Sequence, residues 1–120
     1  YMRNHYSDET HSATSETVET VVTLNPAECP GLVYFMPTPK SPHGCDVDPT
    51  GEYIVGGGKL ATVIPVFSFS KIQKAIADKS IESDIAGIPV LNYKAVLHGE
   101  VEKPGLGPLH TEFDANGNAY

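Results

Sequence analysis

The chain has 120 residues, 40% of them hydrophobic, which is enough for one ordinary domain. Fifteen Asp and Glu against eight Lys and Arg leave a net charge of −7, so the basic stripe of a nucleic-acid surface is excluded. No apolar run approaches the length of a membrane span, and no signal-peptide pattern follows Tyr1-Met2.

Residues 1–17 are rich in Ser, Thr, Asp and Glu and read as a loop or extended surface segment. VETVVTL, residues 18–24, is β-branched and reads as a strand. NPAECP is a turn, GLVYFM (31–36) a second strand candidate, and PTPKSP a Pro-punctuated approach to His43. GCDVD is a short strand, and PTG (49–51) a tight turn in which Pro49 presets φ and Gly51 takes a positive one. EYIVGGG (52–58) and LATVIPVFSF (60–69) follow as strands, with Pro65 expected at a bulge or edge. SKIQKAIADK (70–79) carries the helix signal: Ser70 can cap it, and Ile72, Ala75 and Ile76 form one apolar stripe. Residues 87–101 mix strand and turn, and EKPGLGPL leads to His110.

Two phrases repeat. PHGCDVDPTGEY (42–53) and PLHTEFDANGNAY (108–120) each begin with a histidine shortly after a proline and continue to an Asp, a Gly and a Tyr. His43 leads to Asp48, Gly51 and Tyr53; His110 leads to Asp114, Gly117 and Tyr120, with a one-residue gap reconciling the two. A repeat of several short strands with a short helix in one connection suits an all-β propeller blade, so about two blades are expected in residues 1–120. The competing architecture is a small β-sandwich with two similar turns. The chain ends within the second phrase, and the expectation is an internal stretch of a longer protein.

Histidines at matching points beside a propeller axis would converge, and neutral imidazole binds copper, zinc, iron or nickel. A lone histidine near a turn is more often a surface residue; the repeated position is what singles out His43 and His110. His5 and His11 in the polar leader, and His98 in the loop expected between the two units, fall off the repeat and read as solvated, as does the acidic group Asp8, Glu9, Glu16 and Glu19. GGGK (56–59) lacks the spacing of a phosphate loop, and Cys29 and Cys45 match neither a redox nor a zinc motif. Met2 and Met36 suggest no axial thioether.

PHGCDVDPTGEYIVGGGKL together with GLGPLHTEFDANGNAY closely resembles the nitrous-oxide reductase family, over nearly all of residues 40–120. The resemblance implies a fragment of a seven-bladed propeller, the copper-cluster domain, with a C-terminal cupredoxin domain outside this chain. It implies a periplasmic homodimer that reduces nitrous oxide to dinitrogen and water, taking electrons from a donor such as a c-type cytochrome or a cupredoxin. It implies a four-copper sulfide cluster held by seven histidines, of which His43 and His110 would be two, and a binuclear copper site elsewhere. The remaining ligands lie outside this chain. The family's calcium-ligating asparagine falls at Ser41, which can offer a hydroxyl or a carbonyl oxygen instead. The alternative is a scaffold propeller whose axial histidines hold no metal.

Overall fold

The computed structural model describes the backbone of residues 6–12, 18–102, 105–106 and 109–120, with side chains from residue 23 onward. Two strands open the described chain: β1 (Tyr6–Ser12) and β2 (Val18–Leu24) form an antiparallel hairpin from Tyr6↔Leu24 to Ser12↔Val18. β2 is the strand its β-branched run predicts. β1 falls within the polar stretch expected to be a loop or an extended surface segment; it is a paired strand, because strand formation depends on the partner as well as on intrinsic propensity.

Asn25 then caps a single 3-10 turn at Pro26–Glu28 through its side chain. The strand expected at 31–36 shrinks to one parallel bridge, Phe35 to Val90, in which the Phe35 amide donates to the Pro89 carbonyl at 2.9 Å. Prolines at 30, 37, 39 and 42 withhold ladder donors on both sides.

The main sheet has the antiparallel order β3-β4-β5-β8, from β3 (Pro42–Val47), β4 (Tyr53–Gly58), β5 (Val63–Ser68) and β8 (Leu97–Glu102). β3, β4 and β5 follow one another directly along the chain, whereas β8 joins the sheet only after a long excursion. The excursion between β5 and β8 holds α1 (Phe69–Ala77), the hairpin β6 (Ile81–Ile85) and β7 (Ile88–Leu91), and a single-turn helix α2 (Tyr93–Val96). The β6–β7 turn uses Ala86 and Gly87, both at positive φ (53° and 82°), as a two-residue hairpin turn demands. Pro65 pairs with Glu100 of β8, beyond the Tyr53–Val55 stretch that pairs β4 with β5 and beside a register shift at Val66/Phe67. It sits next to a bulge, as expected of a proline in a strand.

The helix signal is correct but its cap is two residues earlier than expected. Ser68, not Ser70, accepts from the Lys71 amide at 3.2 Å, and both serine hydroxyls donate to Glu52 Oε1. The helix stops because Lys79 turns left-handed (φ 54°), letting Lys79 and Ser80 amides bond back to Ile76 and Ala75. Its apolar stripe packs Ile72, Ala75 and Ile76 against Phe67, Leu91 and Val96, with Ile54 and Tyr93 around them. Phe67 is fully buried, and a side chain of that size contributes about 1.5–3 kcal/mol on burial.

The sheet thus has one face covered by helix. Its other face presents Val55, Ile64, Val66 and Val101 to the second phrase, whose Thr111, Ala119 and Tyr120 complete an apolar cleft of about 210 Å³. The described residues are mostly β, in antiparallel sheets, with helices confined to a connection; this agrees with the all-β expectation.

Candidate metal centre

Both phrases fold as hairpin turns closed by an aspartate carboxylate and a left-handed glycine, the first loop longer by one residue. In the first, the Asp48 carboxylate accepts the Tyr53 amide (2.9 Å), the Thr50 amide (3.2 Å) and the Thr50 hydroxyl (2.7 Å). In the second, Asp114 accepts the amides of Asn116 and Asn118, both at 2.9 Å. Gly51 and Gly117 donate to the carbonyls of these aspartates and take φ of 77° and 82°, which glycine adopts at no steric cost. The bonds hold both carboxyls below the usual range: Asp48 chiefly through Thr50, Asp114 chiefly through Asn118.

The one-residue gap between the phrases has a structural cause. Pro42 pairs with Gly58 and Cys45 with Gly56, so β3 carries one more residue than β4 between those two points. The extra residue is a bulge spanning His43 and Gly44. Side chains alternate faces along a strand, so adding one residue without a bulge would turn the histidine to the opposite face relative to the turn aspartate. The bulge restores the phase, and bulges commonly re-aim a side chain beside a functional site.

The second phrase runs directly against this bulge. A Cβ placed on Gly44 would lie 2.1 Å from the Leu109 carbonyl oxygen and 2.7 Å from His110 Nδ1. Only glycine allows that approach. The outcome is that His43 and His110 meet edge to face, with ring centroids 5.3 Å apart and planes at 85°. Both rings are exposed, so both can be reached by a ligand from outside the described residues.

Asp46 fastens the second phrase to the first. Its Oδ2 accepts the Thr111 amide at 2.8 Å, and its Oδ1 lies 3.3 Å from His110 Nδ1. The Thr111 bond, then the His110 bond, keep the Asp46 carboxyl below the usual range. An ionised carboxylate can only accept, so the His110 ring donates to Asp46 through Nδ1–H. An imidazole that donates through Nδ1 has Nε2 left to offer a metal, and imidazole is among the ligands copper takes. Among the described residues, no group of three or more His, Cys, Asp or Glu gathers as a complete metal site.

The other candidates fall elsewhere. Ser41 is left-handed (φ 60°), and its carbonyl accepts the Lys59 amide at 2.9 Å. His98 is not in a loop, as expected, but on β8, where its ring meets Tyr53 at 4.7 Å; it remains exposed. The difference arises because α2 is only one turn long and returns the chain to the sheet at Leu97. Cys29 is buried and Cys45 exposed, both as free thiols; burial, then the Asp46 charge, push the Cys45 thiol up and away from thiolate. His5 lies outside the described residues, and of His11 only the backbone, on β1, is described. Sequence reasoning passed over Asp46. Its signal was faint: an acidic residue in the middle of a short strand, three places after His43, overshadowed by the turn residue Asp48.

Two histidines carried at matching points of two similar turn phrases, one docked on the other, define a β protein with a pair of exposed imidazoles side by side. No protein-family model matches the chain. It is 37% identical over 86 residues, 72% of its length, to the nitrous-oxide reductase of Stutzerimonas stutzeri. It is 33% identical over 88 residues to that of Pseudomonas fluorescens, and 36% over 89 residues (74% of the chain) to that of Cupriavidus necator. The chain is thus a relative of the nitrous-oxide reductases, which are enzymes. It spans 12% of the length of these curated relatives.

Proposed function

We propose that this chain forms part of the copper-cluster propeller of a nitrous-oxide reductase, and that His43 and His110 are two ligands of its four-copper sulfide cluster. The observation that carries the reading is the 5.3 Å edge-to-face meeting of the two histidines across units that share one turn design. The reaction is N2O + 2 H⁺ + 2 e⁻ → N2 + H2O, with electrons from a c-type cytochrome or a cupredoxin. Such a cluster, held in part by His43 and His110, would supply low-valent copper for binding an inert substrate and for electron transfer, an oxidation state that soft sulfide and imidazole ligands favour.

The chain's own residues supply placement. The β3 bulge aims His43, Gly44 admits the second phrase, and Asp46 holds it. The sheet β3-β4-β5-β8, an antiparallel meander of four strands, has the make-up of one propeller blade, with the His43 strand at its edge. The 109–120 hairpin lies over the sheet's free face as a following blade would, and blades are stable only when neighbours cover them. The cluster domain, residues 1–120 of it here, would belong to a periplasmic homodimer, with the binuclear copper site in a cupredoxin domain. No helix among the described residues is long and apolar enough to cross a membrane. Calcium at Ser41 would have to use the hydroxyl or the second lone pair of a carbonyl already engaged by Lys59.

The test is made in the full-length protein. His43→Ala and His110→Ala should each lower copper content and abolish nitrous-oxide turnover. Unchanged copper and turnover in both would return the chain to the alternative, a scaffold propeller without metal.

A further inference from the structure

The contact between Asp46 and the second phrase has an asymmetry that blade packing does not require. Holding residue 111 in place needs only one acceptor, and Oδ2 provides it to the Thr111 amide at 2.8 Å. The second oxygen is spent on His110 Nδ1 at 3.3 Å. No other carboxylate among the described residues is recorded within hydrogen-bond or ion-pair distance of His43 or His110. Asp46 is also anchored at its own end, because it stands on β3 opposite Val55 of β4, inside the paired stretch and just past the bulge. Its side chain is therefore fixed by a sheet, while the histidine it meets lies on a segment with few ladder bonds.

We propose that Asp46 is the positioning carboxylate of His110: it selects the Nδ1–H tautomer and fixes the ring so that Nε2 faces the site. This rests on the reading of His110 as a ligand, and it adds the residue that orients it. Metal-bound histidines commonly donate their second ring N–H to a carboxylate, and losing that partner typically costs about 10–100-fold in metal affinity. Asp46 touches no metal in this scheme; it acts through the imidazole. One side chain serves two ends, since the same carboxylate that docks the second unit also sets its histidine.

Asp46→Asn separates the two. The amide keeps one oxygen for the Thr111 amide, and its NH2 then faces His110 Nδ1 as a donor. The imidazole must respond by moving its proton to Nε2, the nitrogen meant for copper. In the full-length protein, copper retained per chain is measured during dialysis against graded copper(I) chelator, together with the visible spectrum of the loaded protein and the melting temperature of the copper-free protein. Asp46→Asn should release copper at 10–100-fold lower chelator and alter the spectrum, with little change in melting. A lowered melting temperature with wild-type copper retention and spectrum would make Asp46 merely a packing residue and overturn the proposal. His110→Ala is run beside it: if that variant also keeps its copper, the ligand reading itself has failed; if it loses copper while Asp46→Asn does not, only the positioning role has failed. Nitrogen-15 labelling of histidine in the copper-free wild-type protein gives a check that needs no variant. His110 should show a protonated Nδ1 and a bare Nε2, and the reverse tautomer would overturn the proposal.

Discussion

Gly44→Ala adds a single methyl group, and the structure says where it goes. The new Cβ would sit 2.1 Å from the Leu109 carbonyl oxygen, with His110 Nδ1 at 2.7 Å and Cε1 at 3.0 Å. A carbon and a carbonyl oxygen approach comfortably to about 3.3 Å, so roughly 1 Å of separation is missing. The nearest atom is backbone, so no side-chain rotation relieves the clash. Either β3 shifts within its ladder to β4, or the second phrase lifts off. The second is easier, since it gives up mainly the two Asp46 contacts. Overpacking of this kind costs about 1–3 kcal/mol. The functional loss should be larger than the stability loss, because misplacing a reacting group by about 1 Å can cost on the order of 100-fold in rate. Copper content, nitrous-oxide turnover and melting temperature of the full-length variant are the readouts. A melting temperature lowered by a few degrees, with copper and turnover strongly reduced, is expected. Wild-type copper and turnover would refute the claim that the Gly44 approach sets the distance between the two histidines.

Phe67→Ala empties the centre of the core between the sheet and α1 and should destabilise by about 3–5 kcal/mol, read as a lower urea midpoint, with Phe67→Leu costing less. Acid should loosen both turns. The Asp48 and Asp114 carboxyls lie below their unfolded values when folded, so their contribution is present above the ordinary aspartate pKa and is lost as pH falls through the lowered folded values. Hydrogen exchange at the Tyr53 and Asn118 amides, corrected for intrinsic rates, should therefore lose protection below about pH 4, and protection that persists there would contradict the assignment.

Much of the sheet was legible because its signals are local. The β-branched runs of β2, β4 and β5 and the apolar stripe of α1 each announce their own element. What was left open or missed depended on partners. β1 is a strand only because β2 lies beside it, and residues 31–36 are not a strand because prolines leave them nothing to pair with beyond one bridge at Phe35. The sequence offers Ser70 as the cap of α1, but the Lys71 amide donates to Ser68, and Glu52, on the turn between β3 and β4, accepts from both serines across that end of the helix. The site divides the same way. Both histidines can be picked out by repetition, a property of sequence, whereas Asp46 gains its meaning only from the fold that sets it against residues 110 and 111.

The tyrosines show how far a repeat in sequence can mislead about equivalence in space. Tyr53 and Tyr120 stand at the same distance in sequence from His43 and His110, yet they are not counterparts. The Asp48 amide donates to the Tyr53 carbonyl and its carboxylate accepts the Tyr53 amide, closing a four-residue loop, while Asp114 makes the same two bonds with Asn118 and closes a three-residue loop. Asn118 is thus the counterpart of Tyr53, and Tyr120 pairs further along, with Glu112. Two one-residue differences, the bulge before the aspartate and the longer loop after it, both belong to the first phrase. The second phrase reaches its tyrosine one ladder position later, and the spacings coincide. The loop difference leaves the histidines untouched, because it lies beyond the aspartate. The bulge does not: it lies between the histidine and the aspartate that anchors the turn, where one residue decides which face the ring takes. A chain that needed only a tight turn could do without it. The bulge lies at residues 43 and 44, the point at which His43 meets His110 edge to face and Gly44 admits Leu109.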